Sequence, residues 1–304
     1  MTKKPFGAIK PLAVGSRVAL VAPSGVLRDR SHLQQAAENV RSLGWNPVLG
    51  AHLDALHGYL AGTDEERLED LNSAIRDESI DAIWCVRGGY GAMRLLSGID
   101  YSSLRENPRP VIGFSDITAL HAAIHRECGI VAFHGPTARG SLSDFSRASF
   151  VSALSGQEDS CGVAATGRVL RSGKARGRLC GGNLSLIAAL QGTPYSVDFE
   201  DAILIIEDIG EAVYRVDRML RQLLLSGSLQ RCAAIVAGDF RSPQGETDEA
   251  ERTFDEVIAE AANEAGVACM AGAPFGHIDD QWTIPIGAIA ELDTSGLSLH
   301  VTGL

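Results

Sequence analysis

The alternation of short apolar runs with amphipathic segments in the first half of the chain restricts its fold most strongly. Apolar stretches of strand length alternate with segments whose apolar residues recur at helical spacing, and Gly, Pro and Ser mark the junctions. Because strands separated by helices of this length form a parallel sheet with helices on both faces, we predict an α/β fold. The predicted strands span residues 17–22, 45–49, 80–86, 110–114 and 131–133.

A change of amino-acid composition between residues 141 and 176 divides the chain into two parts. Ser, Gly, Asp and Arg interrupt the apolar runs there, and we interpret the stretch as a linker or crossover. It separates a domain spanning residues 1–140 from a second domain spanning residues 177–304. A chain of 304 residues is long enough for about two domains with their own cores.

The charge balance excludes several classes of partner. The net charge is −11, and no block of Lys or Arg occurs beyond Lys3-Lys4. Because nucleic acids and anionic membranes both require a basic surface, we expect neither as a partner. No stretch approaches the roughly 20 apolar residues of a membrane span. Lys10 and Arg17 interrupt any signal-peptide apolar region.

Cysteine and histidine usage predicts a cytoplasmic protein without a metal. Six cysteines are scattered without close pairs, which favours neither a disulfide framework nor a zinc site. His121 and His125 are four residues apart on a predicted helix, as two ligands of one metal could be. They lack both a Glu beside the first His and a nearby third ligand, so we expect core or solvated histidines instead.

Ser115 stands where a short apolar strand runs into a helix. The segment Arg109-Pro-Val-Ile-Gly-Phe-Ser115 predicts a serine at the corner, beside the positive end of the helix. A nucleophilic hydroxyl needs such a place. Serine is also among the best N-cap residues, so a purely structural cap is the alternative. Ile117 stands where the nucleophile elbow of hydrolases has glycine, and both interpretations remain open on this segment alone.

Three loops are predicted at the carboxyl edge of the sheet, where α/β proteins bind ligands. They comprise residues 23–25, 87–91 and 115–116. The glycine-rich turn Arg87-Gly-Gly-Tyr-Gly91 has backbone N–H groups that could cradle a phosphate or an oxyanion. The first turn lacks G-x-G-x-x-G and no P-loop Gly-Lys-Ser/Thr follows, which disfavours a dehydrogenase and favours the oxyanion interpretation.

A base and an acid are available in the second half. His277 lies on a Gly-flanked loop after an apolar segment, and a histidine is the usual base for a serine. Glu207 follows four buried aliphatic residues at the carboxyl end of a predicted strand. An ionised carboxylate there needs a partner. The alternatives are an incidental loop histidine and a carboxylate that faces water.

With these residues placed, the chain resembles the serine LD-carboxypeptidases of peptidase family S66 along nearly its whole length. The resemblance rests on the order and spacing of several short motifs. They are Val21-Ala-Pro-Ser24, Arg87-Gly-Gly-Tyr-Gly91, Gly113-Phe-Ser-Asp116, Phe133-His-Gly-Pro136, Gly181-Gly-Asn-Leu184, Ile206-Glu-Asp208, Tyr214-Arg-Val-Asp-Arg218, Gly276-His277 and Pro285-Ile-Gly287.

The resemblance implies a fold, a catalytic triad and a reaction without a cofactor. It implies a flavodoxin-like N-terminal α/β domain and a β-rich α/β C-terminal domain, with the site between them. Ser115 matches the family's nucleophile, Glu207 its acid and His277 its base. The geometry of such a triad recurs on unrelated folds, and the order of the three residues along the chain differs from fold to fold. Backbone N–H groups of Asp116 and of Gly88 or Gly89 are then expected to form the oxyanion hole.

The family's substrate is the cytoplasmic murein tetrapeptide, free or linked to sugar or nucleotide. Cleavage between meso-diaminopimelate and D-Ala releases the terminal D-Ala during cell-wall recycling. Because a free carboxylate must be recognised, we expect a cation near the leaving group. Arg87 is the nearest candidate by motif, and Asn183 is a weaker polar contact. The resemblance also implies a homodimer, and Arg215 and Arg218 are expected on a solvated helix face or a dimer contact.

Two other functions compete with this one. A microcin C immunity-type hydrolase of acyl-adenylate conjugates belongs to the same family and would need aromatic surface to stack a base. Residues 238–255 supply Phe240 and Phe254 but no Trp or Tyr. A two-domain protein that binds a small ligand without turning it over could use the same loops, with Ser115 as a helix cap.

Overall fold

The computed structural model describes residues 9–156, 159–243 and 252–303, which form two β-sheets with helices packed against them. The strands are β1 (Arg17–Val21), β2 (Asn46–Leu49), β3 (Ala82–Cys85), β4 (Val111–Gly113), β5 (Ala132–His134), β6 (Gly162–Val163), β7 (Arg168–Arg171), β8 (Lys174–Asn183), β9 (Ala202–Ile209), β10 (Ala234–Arg241), β11 (Ala268–Ala271), β12 (Ile284–Ile286), β13 (Ile289–Asp293) and β14 (Ser298–Gly303). The helices are α1 (Ser31–Ser42), α2 (Asp64–Arg76), α3 (Tyr101–Glu106), α4 (Thr118–Cys128), α5 (Asp144–Leu154), α6 (Leu184–Ala189), α7 (Val213–Leu225) and α8 (Phe254–Ala265).

The first sheet has the strand order β12-β5-β4-β3-β1-β2. Strands β1 to β5 are parallel and follow the flavodoxin-like order, which confirms the predicted fold class of the first half. Alternate residues of β1 enter different cores: Val18 and Leu20 pack on one face of the sheet, and Ala19 and Val21 pack on the other. A strand covered on both faces has to be apolar throughout, which explains the continuous apolar runs.

The second sheet has the order β6-β14-β13-β8-β9-β10-β11-β7. Strands β8 to β11 are parallel, whereas β13, β14, β6 and β7 join antiparallel at the two sides. The second half is therefore β-rich and α/β, as predicted.

Strand β12 belongs to the other sheet, although it lies late in the chain. It pairs antiparallel with β5, with Ile284 opposite His134 and Ile286 opposite Ala132. The chain thus returns to the first sheet after completing most of the second. This long-range pairing has no local signal and was not predicted.

Several helix ends lie where local signals predict them. Helix α2 begins with a complete capping box, in which the Thr63 side chain accepts from the Glu66 N–H and the Glu66 carboxylate accepts from the Thr63 N–H. The helical spacing of apolar residues predicts a helix over residues 213–225, and α7 has these bounds. The sequence also predicts a helix from about residue 248 to residue 264. The structure describes this helix, α8, from Phe254, after a capping box at Thr253, and residue 248 lies outside the described residues.

The stretch predicted as a linker, residues 141–176, contains α5, β6 and β7. Helix α5 packs on the first sheet, where the ring centroids of Phe150 and Trp84 are 4.6 Å apart. Its serines made the helix hard to recognise because two of them face inward. Ser146 Oγ donates to the Asp279 carbonyl at 2.7 Å, and Ser149 Oγ donates to the Ser160 carbonyl at 2.5 Å. Satisfied hydroxyl groups thus replace aliphatic side chains on the buried face.

The carboxyl ends of the two parallel sets meet between the sheets. The Asn183 N–H, at the end of β8, donates to Thr118 Oγ1 at the start of α4, at 2.9 Å. Strand β9 lies beside β8 with Glu207 opposite Asn183. Residues that follow β4, β8 and β9 therefore share one place, which is where α/β folds bind ligands.

Neither a membrane-spanning helix nor a metal cluster occurs in the described residues. No helix among them is both long and apolar enough to cross a bilayer. No group of three or more His, Cys, Asp or Glu side chains among them could hold a metal ion. His121 is fully buried, and burial lowers its pKa to about 3.

Candidate active site

Ser115 lies in a sharp turn between β4 and α4. Its φ is +63°, in the left-handed region that residues other than glycine seldom adopt. It opens a single 3-10 turn, Ser115–Ile117, and the N-cap position of α4 falls on Ile117 without a side-chain hydrogen bond. The capping alternative therefore lacks the hydrogen bond that would support it. A strained strand-to-helix turn is the geometry of a nucleophile elbow.

The structure also explains Ile117, which departs from the elbow pattern. Ile117 is fully buried and packs against Gly113, the last residue of β4. A Cβ on Gly113 would lie 3.0 Å from Ile117 Cγ1 and 3.2 Å from Cys85 Cβ. Glycine is thus required two residues before Ser115, and the isoleucine fills the space that this glycine leaves.

Glu207 and His277 form a hydrogen-bonded pair. The distance between His277 Nδ1 and Glu207 Oε2 is 2.8 Å, and the Glu207 side chain is fully buried. Burial raises the pKa of Glu207, while the hydrogen bond from His277 opposes this shift. A proton on Nδ1 satisfies the carboxylate and leaves Nε2 free to accept a proton, which is the arrangement that a general base requires.

His277 lies beside the nucleophile turn. Its ring contacts the Phe114 ring edge-on, with centroids 4.8 Å apart, and its side chain is 19% exposed. The Ser115 hydroxyl makes no hydrogen bond to any residue that the structure describes, so its proton is free to turn toward the base. The predicted base thus lies against Phe114, the residue before the predicted nucleophile, and is hydrogen-bonded to the predicted acid.

The glycines of the turn after β3 approach Ser115 closely. A Cβ on Gly88 would lie 3.1 Å from Ser115 Cβ and 3.2 Å from the Phe114 carbonyl oxygen. Gly89 has a φ of +117°. Among the described residues, none accepts a hydrogen bond from the N–H of Gly88, Gly89 or Asp116. These free donors beside the nucleophile are suited to stabilise an oxyanion.

The Asp116 side chain has a positioning role that sequence reasoning missed. Its Oδ2 accepts from Ser24 Oγ at 2.6 Å and from the Ala92 N–H at 2.8 Å. One buried carboxylate therefore ties the loop after β1 and the turn after β3 to the nucleophile turn. A sequence signal for this role existed, because Ser24 ends the motif Val21-Ala-Pro-Ser24 and Asp116 ends the motif Gly113-Phe-Ser-Asp116.

Replacing Asp116 by Asn should change the pH dependence of stability. Burial raises the pKa of Asp116, so the folded chain holds its proton more tightly than the unfolded chain. Its protonation favours folding at pH values below its ordinary pKa of 3.8, and that contribution is lost as pH rises through the folded-state pKa. The free energy of unfolding of Asp116→Asn, relative to wild type, should therefore rise between pH 4 and pH 7. Urea unfolding at both pH values measures it, and a pH-independent difference would contradict the expectation.

The two predicted substrate contacts differ in their surroundings. Asn183 is 4% exposed; its Nδ2 donates to Asp208 Oδ1 at 3.0 Å and its Oδ1 accepts from the Leu186 N–H at 3.3 Å. These contacts favour a positioning role over substrate contact, because binding a ligand would break them. Arg87 is only half-buried, and its Nε donates to the Gly88 carbonyl at 3.1 Å.

Comparison with known proteins confirms the family inferred from the motifs. A family model described as the LD-carboxypeptidase N-terminal domain matches residues 18–135, and one described as the LD-carboxypeptidase C-terminal domain matches residues 176–292. The probable murein peptide carboxypeptidase of Bacillus subtilis is 37% identical over 94% of this chain and 91% of its own. The murein tetrapeptide carboxypeptidase of Pseudomonas aeruginosa is 35% identical over 98% of this chain and 99% of its own.

Solved structures agree with the fold. The muramoyltetrapeptide carboxypeptidase from Oxalobacter formigenes superimposes with a TM-score of 0.80 at 30% identity, over 94% of this chain and 98% of that chain. MccF in complex with glutamyl sulfamoyl guanosine superimposes with a TM-score of 0.87 at 24% identity, over 97% of this chain and 98% of that chain. The latter likeness shows the fold alone.

These findings separate the enzyme from the ligand-binding alternative. The family matches cover the domain that carries Ser115 and the domain that carries Glu207 and His277. The protein is accordingly a serine carboxypeptidase by class. From its motifs, its two matched domains and its full-length relatives, the chain belongs to the LD-carboxypeptidase family, peptidase family S66.

Proposed function

We propose that this enzyme releases the terminal D-Ala from murein tetrapeptide by hydrolysing its bond to meso-diaminopimelate. The observation that carries the proposal is the buried Glu207–His277 hydrogen bond beside a serine held at a φ of +63°. The names of the relatives from Bacillus subtilis and Pseudomonas aeruginosa support the substrate. No cofactor is needed, because the three side chains and the free N–H groups supply the whole reaction.

The first half of the reaction forms an acyl-enzyme. Ser115 Oγ attacks the carbonyl carbon of the diaminopimelate residue while His277 Nε2 takes its proton. Glu207 holds the imidazole and stabilises its cation. The N–H groups of Gly88 and Asp116 donate to the oxyanion that develops. The imidazolium then protonates the nitrogen of D-Ala, the C–N bond breaks, and D-Ala leaves.

The second half returns the enzyme to its starting state. A water molecule loses a proton to His277 and attacks the ester carbonyl. The same N–H groups stabilise the oxyanion of the second tetrahedral intermediate, and Ser115 Oγ leaves as His277 returns the proton to it. The products are a tripeptide and free D-Ala.

Gly88→Ala should lower turnover about 100- to 1000-fold. The added methyl group would lie 3.1 Å from Ser115 Cβ, so either the nucleophile or the Gly88 N–H has to move. Gly140→Ala is a matched control, because its Cβ would meet nothing closer than the Thr137 carbonyl at 3.9 Å. The measurement is kcat for D-Ala release by both variants. Normal turnover in Gly88→Ala would remove this turn from the oxyanion site.

Mass spectrometry of murein tetrapeptide incubated with the protein tests the proposed reaction. We expect loss of one D-Ala with wild type and no loss with Ser115→Ala. Intact tetrapeptide after incubation with wild type would overturn the proposed substrate. Loss of D-Ala with both proteins would overturn the proposed nucleophile.

One observation favours the immunity-type alternative. Phe240 and Phe254 have ring centroids 5.5 Å apart and line a cavity of about 790 Å³ that reaches Ile278, next to the base. The two rings are tilted by 36° to each other, and the face of either could take a nucleobase. Among the described residues that line this cavity, three carboxylates (Asp239, Asp255 and Asp280) outnumber the one cation, Arg168, which pairs with Asp255 at 2.5 Å, so the lining disfavours an anionic phosphate linkage. An aspartyl-adenylate analogue tests this: hydrolysis faster than that of tetrapeptide would reverse the assignment.

We further propose a cytoplasmic homodimer. The cytoplasmic assignment is supported by the cysteines, all six of which are free thiols, as expected in a reducing compartment. Dimerisation is supported only by the family resemblance, and Arg215 and Arg218 flank the exposed Tyr214 ring at 5.8 and 5.7 Å on α7 as a candidate contact. Light scattering of the purified protein measures its mass, and a monomer at micromolar concentration would contradict the dimer.

A further inference from the structure

Three arginines that are far apart in sequence lie around the turn after β3, whose Gly88 adjoins Ser115. Arg87 Nη1 donates to the carbonyl of Val26, two residues before Arg28. The N–H of Arg139 donates to the carbonyl of Val86, at 3.1 Å. Both Arg28 and Arg139 are thereby brought to the turn that begins with Arg87.

This cluster has no compensating carboxylate. Among the described residues, none forms an ion pair with Arg28, Arg87 or Arg139, and none of the three is close to a carboxylate that would balance the charge of the other two. Burial, followed by the charges of Arg139 and Arg28, lowers the pKa of Arg87. Like charges left without a partner in a chain of net charge −11 are typical of a site that an anionic ligand completes.

The turn that carries Arg87 contacts the nucleophile, and the leaving group is short enough to reach from one to the other. Gly88 follows Arg87, and a Cβ on Gly88 would be 3.3 Å from Ser115 Oγ. The leaving group is one amino acid, so its carboxylate lies within about one residue length, ~3.8 Å, of the bond that breaks. Arg87 Nη2 lies toward the active-site turn, 3.4 Å from the position of a Cβ on Gly89.

We propose that Arg28, Arg87 and Arg139 bind the free carboxylate of the leaving D-amino acid and so restrict the enzyme to the C-terminal bond. The inference rests on the proposed function. Arg87 is already held by the carbonyls of Val26 and Gly88, so it presents one remaining edge. Arg28 and Arg139 have no partner among the described residues and can each offer a planar pair of N–H groups to a carboxylate.

Binding to the inactive variant Ser115→Ala separates this inference from catalysis. Calorimetry compares three ligands: murein tetrapeptide, its C-terminal amide, and a tetrapeptide with L-Lys in place of diaminopimelate. The amide removes the terminal carboxylate, and the Lys peptide removes only the side-chain carboxylate. The ligands are titrated into Ser115→Ala alone and combined with Arg28→Gln, Arg139→Gln or the control Arg126→Gln, an exposed residue in the last turn of α4.

In Ser115→Ala we expect the acid to bind about 10- to 100-fold more tightly than the amide. Arg28→Gln and Arg139→Gln should each lower this preference at least several-fold, while Arg126→Gln leaves it unchanged. The inference is overturned if the parent binds no acid, if it binds acid and amide equally, or if neither arginine variant changes the preference. It is also overturned if those variants abolish only the preference for diaminopimelate over Lys. Binding by Ser115→Ala without D-Ala release by wild type would instead reject the proposed function.

Discussion

Ser115→Ala should abolish D-Ala release, with a loss of about 10⁶-fold in kcat. Removing Oγ removes the atom that forms the acyl-enzyme, and no hydroxyl replaces it at the turn after β4. The variant should still fold, because Oγ makes no hydrogen bond within the described part of the chain. Turnover measured with tetrapeptide, together with circular dichroism, checks both parts. Residual activity near the wild-type value would show that another nucleophile acts.

Ser115→Gly is an informative companion to the alanine variant. Glycine adopts a φ of +63° without strain, whereas alanine does not. Both variants lack the hydroxyl, so the difference between them reports the backbone alone. We expect Ser115→Gly to be inactive and more stable than Ser115→Ala by about 1 kcal/mol in urea unfolding. Equal stability would mean that the turn is not strained.

Glu207→Gln should lower kcat about 10⁴-fold while the protein folds normally. The amide would donate to His277 Nδ1 and thereby place the imidazole proton on Nε2, where it cannot accept from Ser115. The fold should tolerate the change, because burial raises the pKa of Glu207 and its ionisation therefore opposes folding above that pKa. The measurements are kcat for D-Ala release and the midpoint of urea unfolding.

The neighbouring acids provide the control for Glu207. Both carboxylate oxygens of Asp208 are engaged, since Oδ1 accepts from Asn183 and Oδ2 accepts from Ser185. Glu211 lies 3.6 Å from Arg215 on the protein surface. Glu211→Gln should therefore keep wild-type turnover. If Glu207→Gln were fully active and Glu211→Gln were not, the assignment of the orienting acid would be wrong.

Local chemistry made much of the fold predictable. The capping box at Thr63 and Glu66 and the apolar period of α7 each determine an element from neighbouring residues. Strand β8 was not predicted, although its ten residues, KARGRLCGGN, form the middle of the second sheet. Its glycines hide the apolar alternation that would predict a strand. Glycine is required at position 177 because a Cβ there would lie 2.3 Å from the Asp201 carbonyl oxygen, and this neighbour is known only from the folded structure.

The candidate site likewise has parts that the sequence predicts and parts that it does not. Topology alone predicted that the loops holding Ser115 and Gly88 share an edge, because carboxyl ends of parallel strands lie together. Residue type and position made Glu207 and His277 candidates, and the family resemblance then assigned their roles as acid and base. The cluster of Arg28 and Arg139 around Arg87 could not be predicted, since nothing in the linear order relates three residues on different loops.

The return of β12 to the first sheet has a consequence for recombination between relatives. The strand lies just after the loop of His277, and its register puts Pro285 opposite Phe133 of β5. A chimaera joined between the two domains would therefore bring a foreign strand to the edge of the sheet that holds Ser115. Such exchanges should succeed only where β5 and β12 come from the same parent. The segments that must be exchanged together are thus discontinuous in sequence. They comprise the N-terminal domain and strand β12, which follows His277 in the chain.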